Sequence, residues 1–209
     1  MEVIFLRHGT TSGNLERRFI GVTDIPLLPQ GEALARQVRP MLPPVEWAYV
    51  SPLIRCQQTA ALALPDVPKT TVRGLHETDF GPFEEKSHEE LKDDPVYLRW
   101  LEGGGKEYFL EGTETPDHCR RRIVGAVGYV LRDAKKRGFH SIAVVSHGGA
   151  LATLMAACGL PPRPYYDWLL PNCSAYRTTV ETKPLRIQVQ DTIIPPDATP
   201  LLSPQPGEE

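Results

Sequence analysis

The chain has 209 residues, 41% hydrophobic and 23% charged, with a formal net charge of −3. These proportions match globular averages and exclude a largely disordered chain, and the mild acidity gives no footing for a nucleic-acid groove. Prolines number 21, about twice the usual ~5% share, and no apolar run approaches ~20 residues, which excludes a long coiled coil and a membrane span.

The elements follow in chain order. Val3-Ile4-Phe5-Leu6 is a continuous apolar run of the kind buried on both faces of a parallel sheet. It stops at Arg7-His8, too soon for the apolar stretch of a signal peptide. A helix is predicted from Gly31 to about Met41, between Pro29 and Pro43. Ser51-Pro52 reads as a cap followed by a first-turn proline, opening a helix that carries Arg55. The stretch 82–112, acidic and glycine-rich with two short helical candidates, reads as a cap over a site. The longest helix is predicted from about Pro116 to Arg137, with Ile123, Ala126, Val127, Val130, Leu131 and Ala134 as its apolar stripe and Gly138 as its stop. Ile142 to Val145 is a second buried strand, and Ala150 to about Cys158 a helix. Strands follow at Tyr176–Val180 and Arg186–Ile194.

Strands alternating with helices give the fold class α/β: a three-layer α/β/α sandwich with a mostly parallel central sheet and a small helical cap insertion. The expected domain spans 1–194, with the cap at about 82–112. Five prolines crowd residues 195–209, which read as a disordered tail. Cys56, Cys119, Cys158 and Cys173 are scattered with no C-x-x-C, so they read as free thiols in a reducing compartment. The expectation is a cytoplasmic protein with no nucleic-acid or membrane partner and no cofactor.

Two apolar strands each deliver a His-Gly pair, Arg7-His8-Gly9 and Ser146-His147-Gly148. Ligand crevices in parallel sheets lie at the carboxyl ends of strands, so both histidines are expected at one site. His76, His88, His118 and His140 read as surface or packing residues, and no H-x-H or H-E-x-x-H spacing supports a metal.

Leu6-Arg7-His8-Gly9-Thr10-Thr11-Ser12-Gly13-Asn14 resembles the signature of the histidine phosphatase superfamily, which includes the cofactor-dependent phosphoglycerate mutases. Four further segments resemble that family in the same order. They are Arg18 to Gly21 with Asp24 to Leu27, Ser51 to Ala60, Leu75 to Glu84, and Val145 to Gly149. The short cap, the Thr78-Asp79-Phe80-Gly81 run and Glu111-Gly112-Thr113-Glu114 resemble the phosphatase branch, which includes α-ribazole phosphatases.

The resemblance implies a metal-independent phosphomonoester hydrolase acting through phosphohistidine on a small-molecule phosphate, such as α-ribazole phosphate or a sugar phosphate. His8 is the implied nucleophile and Glu77 the general acid and base. His147, protonated, would stabilise the transferring phosphoryl group. Arg7 and Arg55 offer forks that bind phosphate oxygens bidentately. Asn14, Thr11, Ser12, Gly21 and Gly148 are the implied substrate-binding positions. Glu84 is expected to hold its loop by hydrogen bonds.

The chain departs from the family pattern at Thr10, where Glu is usual, at Gly13, where an aromatic is common, and at Glu85, where Gly is usual. The alternative within the family is a cofactor-dependent phosphoglycerate mutase. Lower alternatives are a serine hydrolase using Ser146, which lacks the first glycine of a nucleophile elbow, and an inactive phosphate-binding module.

Overall fold

A computed structural model describes residues 1–102 and 112–199. Its strands and helices run β1 (Glu2–Arg7), α1 (Ser12–Leu15), α2 (Pro29–Val38), β2 (Trp47–Val50), α3 (Ile54–Ala63), β3 (Lys69–Thr71), α4 (His88–Leu91), α5 (Pro95–Glu102), α6 (Pro116–Arg137), β4 (Ser141–Ser146), α7 (Gly148–Cys158), β5 (Gly159–Leu160), β6 (Ala175–Thr182) and β7 (Leu185–Ile193).

The seven strands form one sheet in the order β3-β2-β4-β1-β6-β7-β5. The run β3-β2-β4-β1 is parallel, while β6 pairs antiparallel with both β1 and β7. The expected mostly parallel sheet is therefore present, extended on one side by an antiparallel hairpin.

Strand residues alternate between two cores, as a two-residue side-chain period requires. Val3 and Phe5 face one way and pack with Ile123, Val127 and Leu131 of α6 and Leu151 and Met155 of α7. Ile4 and Leu6 face the other way and pack with Leu34 and Val38 of α2 and Cys56 and Ala60 of α3. These are the three layers.

Helix α6 starts and stops for local reasons. The Thr115 side chain accepts from the His118 N–H at 3.2 Å, Pro116 fills the first turn, and Lys135, Lys136 and Arg137 sit at the negative end of the dipole. Gly138 closes it at φ +80°, a left-handed position that favours glycine.

Helix α3 differs from expectation. It begins at Ile54, not at Pro52, and Ser51 does not cap it. The free Ile54 N–H instead donates to Asp24 Oδ1 at 2.6 Å, so the cap comes from a loop 30 residues earlier. Ser51 is thereby released for the site described below.

The cap region carries the two short helices expected, α4 and α5; its remainder, 103–111, including Glu111, lies outside the described residues. Phe83, Leu91 and Tyr97 form its small core, with Phe19 and Trp100 packed against it. Phe19 also bonds by backbone to the turn at residues 85–86, donating to Lys86 O and accepting from Glu85 N–H at 2.9 and 2.8 Å. This stretch is thus fastened to the loop that follows α1.

The stretch read as a disordered tail begins with contacts. Gln37 Nε2 donates to Asp197 Oδ2 at 2.8 Å, and Ala198 packs beside the α2–α3 core. The rest of that tail, 200–209, lies outside the described residues. Among the described residues, no helix is long and apolar enough to cross a membrane.

Candidate active site

Strands β1 and β4 are parallel neighbours with Arg7 opposite Ser146, so His8 and His147 leave the sheet side by side. Their ring centroids lie 5.2 Å apart, and both side chains are buried. The convergence expected from two His-Gly turns follows from this register.

His8 Nδ1 sits 2.7 Å from Gly9 O. A carbonyl only accepts, so Nδ1 carries the proton and Nε2 keeps its lone pair. Burial, then the Arg55 and Arg7 charges, hold the His8 pKa well below its ordinary value. The ring is therefore neutral at neutral pH. Its carbonyl is pinned by Cys173 N–H and Asn172 Nδ2, each at 3.1 Å.

His147 differs from its expected protonated form. Arg55 Nε donates to His147 Nδ1 at 3.2 Å, so Nδ1 is an acceptor. His147 Nε2 then donates to Ser51 Oγ at 2.7 Å. A ring with one accepting nitrogen is neutral. Burial and the neighbouring Arg55 and His8 also push its pKa well below the ordinary value.

Arg55 is buried on α3. Its outer nitrogens donate to Thr23 O at 2.8 Å and Gly21 O at 2.6 Å, so it ties the loop after α1 to His147. Arg7 donates through Nη1 to Leu170 O, while its buried Nε has no partner among the described residues. Burial lowers its pKa to about 10, the largest influence on it, so it stays cationic at neutral pH. A Cβ on Gly148 would lie 3.1 Å from Arg7 Cζ, so glycine lets α7 close over the guanidinium.

Glu77 is 7% exposed. Its oxygens accept from Thr78 N–H and, at the start of α7, Gly149 N–H, both at 2.8 Å. A Cβ on Gly149 would fall 2.8 Å from Glu77 Oε1. The neighbouring Glu84 points elsewhere. It accepts from the N–H groups of Gly21, Val22, Thr23 and Phe80 and from Thr23 Oγ1, so it holds two loops together, as expected.

Asn14 Oδ1 accepts from Thr11 N–H at 3.0 Å, which fixes the amide's orientation and leaves its Nδ2 hydrogens unused. Thr11 also donates its hydroxyl to the same oxygen at 3.1 Å. Thr11 therefore holds Asn14, and its donor is spent. Ser12 lines a cavity that borders this cluster across Gly13 and Ile20. Gly21 contributes backbone only: its carbonyl bonds Arg55, and a Cβ would fall 1.9 Å from Thr78 O. Ser146 is fully buried, donating to Leu75 O at 2.7 Å, which removes it as a nucleophile.

Several supporting residues carry no sequence signal of their own. Arg122 forms a fork with Glu114, at 2.7 Å through Nε and 2.6 Å through Nη2. The same guanidinium donates to the carbonyls of Gly74, His76 and Glu77. Asn172 bonds both His8 O and Asn14 Oδ1. Ser51 and Asp24 fall within the resembling segments, but their partners, His147 and the Ile54 N–H, were not foreseen.

Arg7, His8 and His147 at the ends of adjacent parallel strands, with Arg55 from α3 and Glu77 from a loop beside them, gather two neutral imidazoles, two guanidiniums and a carboxylate, a set whose cationic forks match a tetrahedral anion. The profile of the histidine phosphatase superfamily (branch 1) matches residues 3–191, and the chain belongs to that superfamily. It is 32% identical to the "Probable phosphoglycerate mutase GpmB" of Enterobacter sp. over 190 residues, 88% of this chain and 87% of that protein. It is 28% identical to the adenosylcobalamin/α-ribazole phosphatase of Escherichia coli over 177 residues, 77% of this chain and 81% of that one. The crystal structure of the α-ribazole phosphatase from Shigella flexneri superposes with a TM-score of 0.76 at 23% identity, covering 90% of this chain and 95% of that one, which shows the shared fold.

Proposed function

We propose that the chain hydrolyses small-molecule phosphomonoesters through a phosphohistidine on His8. The observation that carries this reading is the fixed tautomer: Nδ1 is committed to Gly9 O, and Nε2 is free beside two buried guanidiniums. Arg7 Nε, buried without a partner among the described residues, is a donor in want of an acceptor, and a phosphate oxygen would satisfy it. Transfer of this kind rests on positioning and electrostatics.

In this reading Nε2 attacks phosphorus and the ester P–O bond breaks. Glu77 gives its proton to the leaving oxygen, releasing the alcohol. Water then attacks the same phosphorus, its proton goes to Glu77, and the N–P bond breaks to release phosphate and neutral His8. A phosphate oxygen takes the donor of Arg55 Nε, freeing His147 Nδ1 to bind a proton and a further phosphate oxygen. Asn14 Nδ2 adds another donor. Ser12 and Gly148 are proposed as substrate-side contacts. α-Ribazole phosphate and sugar phosphates are the first candidates, the protein being proposed to act in the cytoplasm.

The test is a phosphomonoester panel assayed with chelator present, alongside trapping of an acid-labile, base-stable label. Turnover and label should both vanish in His8→Ala. Normal turnover by His8→Ala would sink the mechanism. Interconversion of phosphoglycerates that depends on 2,3-bisphosphoglycerate, without net phosphate release, would move the reading to a mutase.

A further inference from the structure

The departures at Gly13 and Glu85 fall on one cavity of about 360 Å³, whose walls include Ser12, Gly13, Glu16, Arg18, Ile20 and Glu85. The cavity adjoins the phosphoryl site through its own walls. Ile20 O lies 3.5 Å from Arg55 Nη2, next to Gly21 O at 2.6 Å. Ser12 and Gly13 share the short helix α1 with Asn14.

Gly13 leaves no space for a side chain, because a Cβ there would fall 2.2 Å from Ile20 Cγ1. Ile20 thus packs directly against the α1 backbone at Gly13. Glu85 sits at φ +63°, the left-handed region that favours the glycine usual at this position. A carboxylate is therefore kept at a place where the backbone resists a side chain.

The charges are unbalanced. Arg18 is the cationic side chain among the cavity's lining residues, and its Nε and Nη1 are engaged. Its Nε donates to Glu16 at 2.6 Å, and its Nη1 donates to Glu90 and to Glu85 O, each at 2.6 Å. The Glu85 side chain makes no hydrogen bond or ion pair among the described residues. The lining carries two carboxylates, Glu16 and Glu85, against the single guanidinium of Arg18, so the cavity wall is net negative.

We propose that this cavity holds the leaving group, and that Glu85 selects neutral, hydroxyl-bearing or cationic alcohols over those with a carboxylate or a second phosphate. The proposal rests on the phosphomonoesterase reading and narrows its substrate class. Ser12 and Glu16 offer polar contacts to hydroxyl groups. A substrate that is an anion at both ends meets the guanidiniums at one end and unpaired carboxylate at the other.

The test compares glycerol 3-phosphate with 3-phosphoglycerate, which differ by a hydroxymethyl group against a carboxylate. The readout is the ratio of their kcat/KM values in one preparation, so loss of folded enzyme cancels. The wild type should favour glycerol 3-phosphate. Glu85→Gln should raise the relative rate on 3-phosphoglycerate about three- to ten-fold, the scale of one exposed charge several ångströms away, and added salt should shrink the difference. Glu85→Lys should raise it further. Equal use of both substrates by the wild type overturns the proposal, as does a ratio unmoved in both variants. His8→Ala separates the two readings. If it still turns over, the nucleophile is wrong, and the ratio continues to report on the cavity.

Discussion

The Arg122–Glu114 pair should prove essential to the carboxylate that it never touches. Side-chain exposure is 11% for Arg122 and 5% for Glu114. The pair is bidentate, and Arg122 spends its remaining donors on the carbonyls of residues 74, 76 and 77. Arg122→Met removes the guanidinium fork and leaves buried Glu114 with only the exposed His118 ring, at 2.9 Å, as a side-chain partner. Breaking a buried pair from one side costs about 3–5 kcal/mol. The pair lies near the surface end of α6, so the lower figure, about 3 kcal/mol, applies. A domain of this size holds roughly 5–15 kcal/mol, so the variant remains folded for assay. Urea unfolding measures the loss, and the double variant Arg122→Met, Glu114→Met should recover about 2 kcal/mol of it. Activity should fall further than stability does, because Glu77 loses the anchor of its own carbonyl. A displacement near 1 Å lowers kcat by about 100-fold. Arg122→Lys should keep the charge but not the fork, and rescue stability more than kcat. A loss under about 1 kcal/mol, or a double variant equal to the sum of the singles, would refute this account.

Further expectations follow from the same geometry. Gly149→Ala places a methyl 2.8 Å from Glu77 Oε1, so kcat should drop at least tenfold while urea stability falls by only about 1 kcal/mol; unchanged kcat would show that Glu77 is not the proton donor. His8 and His147 have folded pKa values below their unfolded values, so the unfolded chain takes up protons first as pH falls through about 6.5. Their contribution to stability is complete above that point and declines below it, by about 1.4 kcal/mol per pH unit for each ring. In phosphate-free buffer His8→Ala should remove its half of that slope, and an unaltered slope would count against the burial argument. Burial pushes the Glu114 carboxyl up, but the Arg122 fork outweighs it and holds the pKa below the usual carboxylate range. That pair should therefore stabilise fully above ordinary carboxylate pH and weaken as pH falls through the lowered value, a loss that Glu114→Gln should abolish. Glu85→Gly should raise stability by about 0.5–1 kcal/mol in thermal melts by relieving a left-handed residue, and a decrease would mean that the backbone there carries no strain.

What could be read from the sequence was the part written in short-range pattern. The apolar runs ending at Arg7 and Ser146 marked buried strands, and their His-Gly turns marked the site, because a parallel register puts equivalent strand ends together. The bounds of α6 followed from Pro116 and Gly138, each acting within a turn of its own position. Glu84 was legible as a loop fastener through the family motif. The protonation of His147 was not, because it depends on which Arg55 nitrogen faces the ring, and no spacing encodes that. The start of α3 was misread for a related reason. Ser51-Pro52 has the composition of a local cap, yet the N–H at Ile54 is satisfied by Asp24, and Ser51 turns to His147.

The residues that sequence reasoning missed share one property: they act across long separations in the chain. Asn172 reaches His8 O from 164 positions away, and Arg122 reaches the carbonyls of residues 74 to 77 from 45 to 48. Such a residue sits in an ordinary local context. Asn172 follows a proline in a loop, and Arg122 is one of three consecutive arginines on an amphipathic helix. Nothing distinguishes Arg122 from Arg120 and Arg121 until the helix is docked, when its neighbours point outward to Asp117 and it alone turns in to Glu114. The helical period does bear on the choice. Arg122 lies one residue before Ile123 and one turn from Cys119, at the margin of the buried stripe, whereas Arg120 and Arg121 lie on the open face. A charged residue at the edge of an apolar stripe is the position from which a side chain can reach past the core to a neighbouring loop. Read with the acidic Glu114 just before the helix, that position makes Arg122 the arginine of the three on which the geometry of Glu77 depends.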